Sequence, residues 1–203
     1  MQTQTKETLA RMTPDKALTL LKEGNQRFLA NRTQKRMLTQ QVAETSKGQF
    51  PFAVVLGCID SRVPPELIFD QGIGDIFSIR IAGNFVNKDI LGSMEFACKV
   101  VGSKHIVVLG HTSCGAIQGA YDDVELGNLT GLIDKLKSAV KAVQKSSEQK
   151  SSPIIDQIAE MNVQMTIENI KQQSPILKEL LDNNEIEISG AMYDVKSGQV
   201  SFL

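Results

Sequence analysis

Two apolar segments with nearly the same pattern constrain the fold most strongly. The segments FAVVLGC (52–58) and HIVVLGH (105–111) are short and rich in valine, and each carries a glycine just before its last residue. Continuous apolar runs of this length are typical of strands that are buried on both faces, as in parallel sheets. A third segment, DIFSIRIAG (75–83), alternates apolar and polar residues and is also predicted to be a strand.

Segments with helical patterns lie between and around these strands. Residues 13–31 begin with Thr13 as a cap and Pro14 in the first turn, which predicts a helix. The other helical patterns are PPELIFDQG (64–72), DILGSMEFACKVVG (89–102), CGAIQGAYDDV (114–124) and most of 131–173, which is interrupted by the polar run SSEQKSSP (146–153). Strands alternating with helices predict an α/β fold with a mostly parallel central β-sheet flanked by helices.

The two ends of the chain differ from this alternating core. We expect residues 1–50 to form an N-terminal helical arm and residues 51–203 to form the α/β core, within the single domain of residues 1–203 that this length favours. The segments EIEISGAMYDV (185–195) and QVSFL (199–203) flank a KSG turn and are predicted strands. The last of them is expected at an edge of the sheet.

The composition argues against several classes of protein. With 22 basic and 23 acidic residues the net charge is −1, so neither nucleic acid nor an anionic membrane is an expected partner. No apolar run approaches the roughly 18 residues that span a bilayer. The N-terminus shows no apolar signal-peptide core, which favours a cytoplasmic location. The three cysteines are expected to be reduced thiols, because a small odd number does not suit a disulfide framework.

Metal-capable side chains follow both of the long apolar strands. Cys58 and Asp60 come at the end of one strand, and His111 and Cys114 come at the end of the other, spaced as H-x-x-C. Because ligands bind beyond the carboxyl ends of parallel strands, both pairs are expected at one edge of the sheet. Two thiolates, one imidazole and one carboxylate suit Zn²⁺ better than Mg²⁺ or Ca²⁺. The sequence therefore predicts a zinc site that the fold assembles.

The carboxylate of Asp60 leaves two states of such a site open. If it binds the metal, all four positions are filled and the site is closed, as structural zinc sites are. Arg62, two residues further on, can instead hold the Asp60 carboxylate through two hydrogen bonds and draw it off the metal. Asp60 could then accept a hydrogen bond from a zinc-bound hydroxide, which describes an open, catalytic site.

Each of these residues also has a plain structural alternative. The two thiols could be buried core residues, the carboxylate and guanidinium an exposed ion pair of little energetic value, and His111 a helix-start residue. The coincidence of all four candidate ligands at matching strand ends favours the metal site. Cys98, within a predicted helix, and His105, at the start of a strand, are expected to be structural.

Three motifs resemble those of the β-class carbonic anhydrases. The segments CIDSRVPPE (58–66), GDIFSIRIAGN (74–84) and GHTSCGA (110–116) are similar to the family patterns C-x-D-S-R, G-D-x-F-x-x-R-x-x-G-N and G-H-x-x-C-G. The resemblance extends from roughly residue 15 to the C-terminus. It implies a carbonate dehydratase, a lyase that converts CO₂ reversibly to bicarbonate and a proton by attack of zinc-bound hydroxide.

The same resemblance implies roles for individual residues. One Zn²⁺ per subunit would be bound by Cys58, His111 and Cys114, with Asp60 and Arg62 as a catalytic dyad that gates the fourth zinc position. It also implies a homo-oligomer, either a dimer or a dimer of dimers, with the N-terminal helix reaching onto a partner subunit. CO₂ and bicarbonate are the implied small-molecule partners.

A bicarbonate pocket found in some members of the family is matched only in part. Arg80 and Tyr193 match two members of its Trp–Arg–Tyr triad, and Gly115 is assigned with them to a substrate or bicarbonate pocket. Val55 stands where the triad has tryptophan, and the chain contains no tryptophan at all. We therefore expect an open site at neutral pH, with the carboxylate of the dyad bound to its arginine.

Three other functions compete with this interpretation. The same fold and metal could hydrolyse carbonyl sulfide or carbon disulfide. A non-enzymatic zinc-stabilised or bicarbonate-sensing protein would have a permanently closed site, which would need no gate such as Arg62. A redox exchange pair of Cys58 and Cys114 is disfavoured because the two lack C-x-x-C spacing.

Overall fold

A computed structural model describes residues 3–146 and 152–203, which form a five-stranded sheet. The strands are β1 (Ala53–Gly57), β2 (Ile76–Arg80), β3 (His105–His111), β4 (Glu187–Tyr193) and β5 (Val200–Phe202). Their order across the sheet is β2-β1-β3-β4-β5, and every pairing is parallel except that of β4 with β5. The predicted mostly parallel sheet and its C-terminal edge strand are confirmed.

Helices flank the sheet, as predicted. They are α1 (Lys6–Ala10), α2 (Pro14–Leu29), α3 (Leu38–Thr45), α4 (Pro65–Ile68), α5 (Lys88–Glu95), α6 (Gly115–Tyr121), α7 (Gly127–Ile133), α8 (Lys137–Lys145), α9 (Ile154–Gln173) and α10 (Pro175–Asp182). A π-helix (Phe96–Val101) continues α5, and a 3₁₀ turn (Asp134–Leu136) joins α7 to α8. Of the polar break predicted at 146–153, residues 147–151 lie outside the described residues. No helix in the described ranges is long and apolar enough to cross a membrane.

The two central strands are buried on both faces, which explains their continuous apolar sequence. On one face Val55 and Val107 pack in a cluster with Leu21 of α2. On the other face Val54 and Val108 pack in a second cluster that includes side chains of α5, α9 and α10. A slip of one residue in either strand would exchange the two faces, so this burial fixes the register.

The N-terminal segment packs on the sheet of its own chain. Leu9 of α1 and Leu21 of α2 lie in the cluster that also holds side chains of β1, β3 and β4. Thr13 caps α2 as predicted, because its side chain accepts a hydrogen bond from the Lys16 N–H at 3.2 Å. Whatever this segment contacts in a partner subunit, much of its apolar surface is used within one chain.

Asp70, which follows α4, ties this N-terminal segment to the core. Its carboxylate is 2% exposed and forms ion pairs with Arg27 of α2, at 2.5 Å from Nε, and with Arg36. It also accepts the Gln34 N–H at 3.2 Å. The carboxylate thus pairs with two guanidinium groups and accepts one backbone N–H at a single buried point.

We expect Asp70→Ala to destabilise the fold by about 3 kcal/mol, because it leaves two partly buried arginines without their carboxylate. Asp182→Ala is the matched control, since Asp182 pairs with Lys178 on an exposed helix face. That change should cost less than about 1 kcal/mol. Urea unfolding of both variants measures the difference, and equal small losses would contradict the role given to Asp70.

The strand order places a crevice where the motifs end. β1 and β3 are parallel neighbours, and the chain continues from β1 to β2 on one side but from β3 towards β4 on the other. Such a switch point leaves room beyond the carboxyl ends of the two strands. Gly110 lets α9 pack closely here, because a Cβ at this position would lie 2.7 Å from the Val163 side chain.

Candidate metal centre

Cys58 directly follows β1 and lies in a loop that is hydrogen-bonded to residues at and just after the end of β2. Arg80 donates from Nε to the Cys58 carbonyl at 2.9 Å and from Nη2 to the Asp60 carbonyl at 2.7 Å. The Gly83 N–H donates to the Cys58 Sγ at 3.4 Å. Gly83 has a φ of 79°, and a Cβ there would lie 2.6 Å from Leu136 Cδ1, so glycine is required. These contacts fix both the loop and the sulfur of Cys58.

His111 and Cys114 come from the end of β3 and the start of α6. His111 is fully buried, and its Nδ1 donates to the Thr112 carbonyl at 3.0 Å. In the neutral ring Nε2 then carries the lone pair, and it has no hydrogen-bond partner among the described residues. Cys114 is 1% exposed and immediately precedes α6. A buried imidazole nitrogen without a hydrogen-bond partner in the protein is suited to binding a metal ion.

The three donor atoms form one compact group. The sulfurs of Cys58 and Cys114 and a ring nitrogen of His111 all lie within 4.8 Å of one another. A tetrahedral ion bound at about 2.0–2.3 Å by such donors would hold them slightly closer together, at roughly 3.5–3.8 Å. In the parts of the chain that the structure describes, this is the one group of such residues that could hold a metal ion.

The two thiols do not hold their protons equally. Hydrogen bonding from the Cys114 thiol lowers the pKa of Cys58 to about 4. The same contact, together with burial, raises the pKa of Cys114 above its ordinary value. Cys58 is therefore the sulfur that gives up its proton more readily, and a divalent ion bound by both sulfurs would displace the proton that the pair retains.

Asp60 and Arg62 lie paired at the edge of the donor group. Arg62 donates from Nε to Oδ1 at 2.9 Å and from Nη2 to Oδ2 at 2.8 Å, and its backbone N–H also donates to Oδ1 at 2.9 Å. The Asp60 Oδ2 lies 3.9 Å from the His111 Nε2. Hydrogen bonding from Arg62 lowers the pKa of Asp60 to about 2, so the carboxylate is ionised at neutral pH.

The four residues assigned to a bicarbonate pocket have different surroundings. Val55 is fully buried inside β1, and Tyr193 at the end of β4 is 6% exposed, with a pKa that burial raises. Gly115 is the first residue of α6, where a Cβ would meet open space. The guanidinium of Arg80 is engaged by backbone carbonyls of the loop after β1. Arg80 therefore holds the loop after β1 in place, a role that its motif did not indicate.

No sequence pattern indicated the contacts that α9 makes behind the site. Asn162, 4% exposed, donates from Nδ2 to the Gly83 carbonyl at 2.8 Å. Asp156 accepts the Ser113 N–H at 2.8 Å. Neither α9 residue belongs to a motif, and only the packing of α9 on β3 brings them here. Gly83 alone carried a signal, because a glycine inside a motif suggests a backbone constraint.

Cys98 and His105 are buried outside the donor group. Burial raises the pKa of Cys98 to about 12, which makes it an unreactive thiol. The His105 Nε2 lies 2.8 Å from the Ser189 Oγ, and its Nδ1 lies 3.9 Å from a Glu187 oxygen. Both residues occupy the core on either side of the sheet and do not contribute to the site.

We expect His105 to make the fold sensitive to acid. Burial lowers the pKa of His105 to about 4, whereas the unfolded chain binds this proton near pH 6.5. Stability is therefore lost as the pH falls below about 6.5, by roughly 2–3 kcal/mol at pH 4.5. The neutral variant His105→Gln should lack this part of the loss. Urea unfolding of both proteins at pH 7.0 and 4.5 measures how much stability each loses on acidification. Equal losses in wild type and His105→Gln would exclude this role of His105.

Comparisons with known proteins agree with this geometry. The sequence family described as "Carbonic anhydrase" matches residues 53–200. Carbonic anhydrase 2 of Mycobacterium tuberculosis is 34% identical over 192 residues, which cover 92% of this chain and 91% of that protein. A carbonic anhydrase of Mycolicibacterium smegmatis is 33% identical over 193 residues, covering 92% of each.

Solved structures show the same fold. The structure of the beta-carbonic anhydrase CcaA matches with a TM-score of 0.75 and 25% identity, covering 91% of this chain and 86% of that one. A structure from the study of two tetrameric beta-carbonic anhydrases of Sordaria macrospora matches with a TM-score of 0.72 and 26% identity, covering 81% of this chain and 86% of that one.

Proposed function

The chain belongs to the β-class carbonic anhydrase family and is thus a lyase, a carbonate dehydratase, and from this premise we propose that its reaction depends on Zn²⁺ bound by Cys58, His111 and Cys114. Two thiolates and one neutral imidazole are a donor set that suits zinc. The observation that carries the proposal is the buried His111 ring: its Nε2 lacks a hydrogen-bond partner among the described residues, and one of its ring nitrogens lies within 4.8 Å of both sulfurs. When bound, zinc lowers the pKa of a coordinated water from 15.7 towards about 7.

Arg62 keeps Asp60 available for catalysis instead of metal binding. It holds both carboxylate oxygens, so a zinc ion bound by Cys58, His111 and Cys114 would remain accessible to water and substrate. The Asp60 Oδ2, 3.9 Å from the His111 Nε2, is near enough to accept a hydrogen bond from the reacting water. That hydrogen bond directs a lone pair of the water towards CO₂, which is the orientation that hydration to bicarbonate requires.

The protein core closes one side of this site. Cys58 and Cys114 belong to an apolar cluster that includes Phe85 and Ile117. These side chains exclude water behind the thiols, so the electrostatic effect of the metal is weakened less by solvent. CO₂ and bicarbonate would then enter and leave from the side of Asp60 and Arg62, where Arg62 is half exposed.

We also propose that the enzyme is a homo-oligomer, either a dimer or a dimer of dimers. β2 is an edge strand in the described sheet, with Phe77 and Ile79 only half-buried. Phe96, which is 49% exposed, packs against Phe77 and extends this apolar edge. One structural relative is described as tetrameric. Light scattering should give two or four times the subunit mass, and a monomer at micromolar concentration would contradict the proposal.

Stopped-flow CO₂ hydration, measured with a pH indicator, tests the proposed reaction. The rate should follow zinc content, disappear when a chelator removes the metal, and return with one equivalent of Zn²⁺. Sulfide release from carbonyl sulfide and carbon disulfide is measured in parallel and should be negligible. Stoichiometric zinc without CO₂ hydration would refute the proposal. Rapid sulfide release would favour the hydrolase alternative, and metal-free protein with a Cys58–Cys114 disulfide would favour the redox alternative.

A further inference from the structure

The loop from β3 to α6 contains a backbone conformation that needs support. Ser113, just before Cys114, has a φ of 55°, in the left-handed region that disfavours most residues other than glycine. Two hydrogen bonds hold the loop on the β4 side. The Thr112 N–H donates to the Tyr193 carbonyl at 2.9 Å, and the Val195 N–H donates to the Thr112 Oγ1 at 3.1 Å. Neither bond engages Ser113 itself.

Asp156 supplies a contact to Ser113 from the opposite side. Its Oδ1 accepts the Ser113 N–H at 2.8 Å. Asp156 lies in the first turn of α9, and the next turn of that helix is anchored in the core by the buried residues Ile158 and Ala159. The carboxylate that holds Ser113 is therefore carried by a fixed element.

The other backbone group of Ser113 faces the Asp60–Arg62 pair. Its carbonyl lies 3.3 Å from the Arg62 Nη2, which donates to it and also to the Asp60 Oδ2. Ser113 thus connects α9 to the guanidinium through its N–H on one side and its carbonyl on the other. A change in the Ser113 backbone would alter the surroundings of Arg62 and of Cys114 together.

Building on the proposed function, we infer that Asp156 is a positioning residue, whose hydrogen bond holds Ser113 in its left-handed conformation and so places Cys114 and Arg62. Without that bond Ser113 relaxes, its carbonyl turns from Arg62, and Asp60 is held away from the metal less firmly. Asp156 also lines an open cleft of about 460 Å³ beside the loop, together with Asp194 and Lys196. Its charge could act on the site through this cleft, so the test must separate charge from hydrogen bonding.

Four variants separate the effect of the Asp156 charge from the effect of its hydrogen bond. Asp156→Ala removes both the acceptor and the charge, whereas Asp156→Asn keeps an acceptor oxygen and removes only the charge. Asp194→Asn removes another negative charge from the same cleft. Gln157→Ala is the control for helix stability. Gln157 lies in the same helical turn and donates from Nε2 to the Ser152 carbonyl at 2.6 Å, and this hydrogen bond does not involve the loop from β3 to α6.

Two measurements report on the metal shell without relying on activity. They are the rate of zinc release to a chromogenic chelator and the absorption spectrum of Co²⁺-substituted protein. In Asp156→Ala we expect zinc release to quicken and kcat to fall, each by about 10- to 100-fold, with KM nearly unchanged. The Co²⁺ spectrum should shift towards that of Arg62→Ala, in which Asp60 is free to bind. The other three variants should stay within about twofold of wild type.

A second substitution tests the backbone conformation directly. Adding Ser113→Gly to Asp156→Ala should recover much of the lost kcat and slow zinc release, because glycine adopts a positive φ without steric cost. Asp156→Ala with wild-type release rate and spectrum would overturn the inference. So would an Asp156→Asn variant as impaired as Asp156→Ala, because charge would then be the cause. If wild-type protein binds zinc but does not hydrate CO₂, the proposed function fails, while zinc release and the Co²⁺ spectrum still test the positioning.

Discussion

The Cys58→Ser variant should lose its metal and its activity together. A serine hydroxyl is a far weaker ligand for zinc than a thiolate, and the two remaining protein donors cannot hold the ion tightly. CO₂ hydration should fall at least about 1,000-fold, since a water with its ordinary pKa supplies almost no hydroxide at neutral pH. Metal analysis of freshly purified protein and stopped-flow assays measure the two effects.

Cys98→Ser is the matched control for that experiment. It makes the same change of atom at a buried thiol that belongs to another core cluster and not to the donor group. We expect it to keep stoichiometric zinc and most of the activity, with some loss of stability. A Cys58→Ser protein that kept one zinc per subunit and normal turnover would disprove the ligand assignment.

Arg62→Ala should separate metal binding from activity. The three ligands are untouched, so zinc should stay bound. The Asp60 carboxylate loses the two hydrogen bonds from the Arg62 side chain and keeps only the one from the backbone N–H of residue 62. Freed from the guanidinium, Asp60 can occupy the fourth position or leave the reacting water misoriented. We expect kcat to fall by roughly 100-fold.

Two further variants sharpen the interpretation of Arg62→Ala. Arg62→Lys retains the charge but cannot form the bidentate pair, so its activity should lie between wild type and Arg62→Ala. Arg32→Ala removes an exposed arginine from the N-terminal segment and should have no effect on turnover. Full activity in Arg62→Ala would show that Asp60 needs no restraint. A wild-type crystal at pH 7.5 or above with an Asp60 oxygen within about 2.2 Å of zinc would refute the open site.

Local sequence patterns predicted the strands and helix ends that depend on only a few neighbouring residues. The valine-rich runs of β1 and β3 and the cap and proline that start α2 were sufficient, because burial and capping act over a few residues. Within the helical arm expected at residues 1–50, sequence patterns located only the helix of residues 13–31, and the short helices α1 and α3 were not located individually. The Thr5 capping box of α1 was a usable signal, but α3 has no side-chain cap. Its buried Gln41 accepts the Ile73 N–H, a contact between segments far apart in the chain.

The π-helix after α5 could not be predicted from periodicity. The sequence from Asp89 to Gly102 favours one continuous helix, but the hydrogen bonding changes at Phe96. The hydrogen bonds of an α-helix span four residues and those of a π-helix span five, and the same apolar spacing is compatible with either. Local propensity does not contain that information.

The sequence by itself determined which side chains can bind a metal and where along the chain they stand. Cys58, His111 and Cys114 each follow or end a strand whose apolar pattern is recognisable, and parallel strands present their carboxyl ends at one edge. Only the tertiary structure decided that β1 and β3 are neighbours, that the His111 Nε2 lacks a protein partner in the described residues, and that Asp156 and Asn162 support the loops. Strand order and helix docking depend on burial between segments far apart in the chain, and no local pattern records which segments will meet.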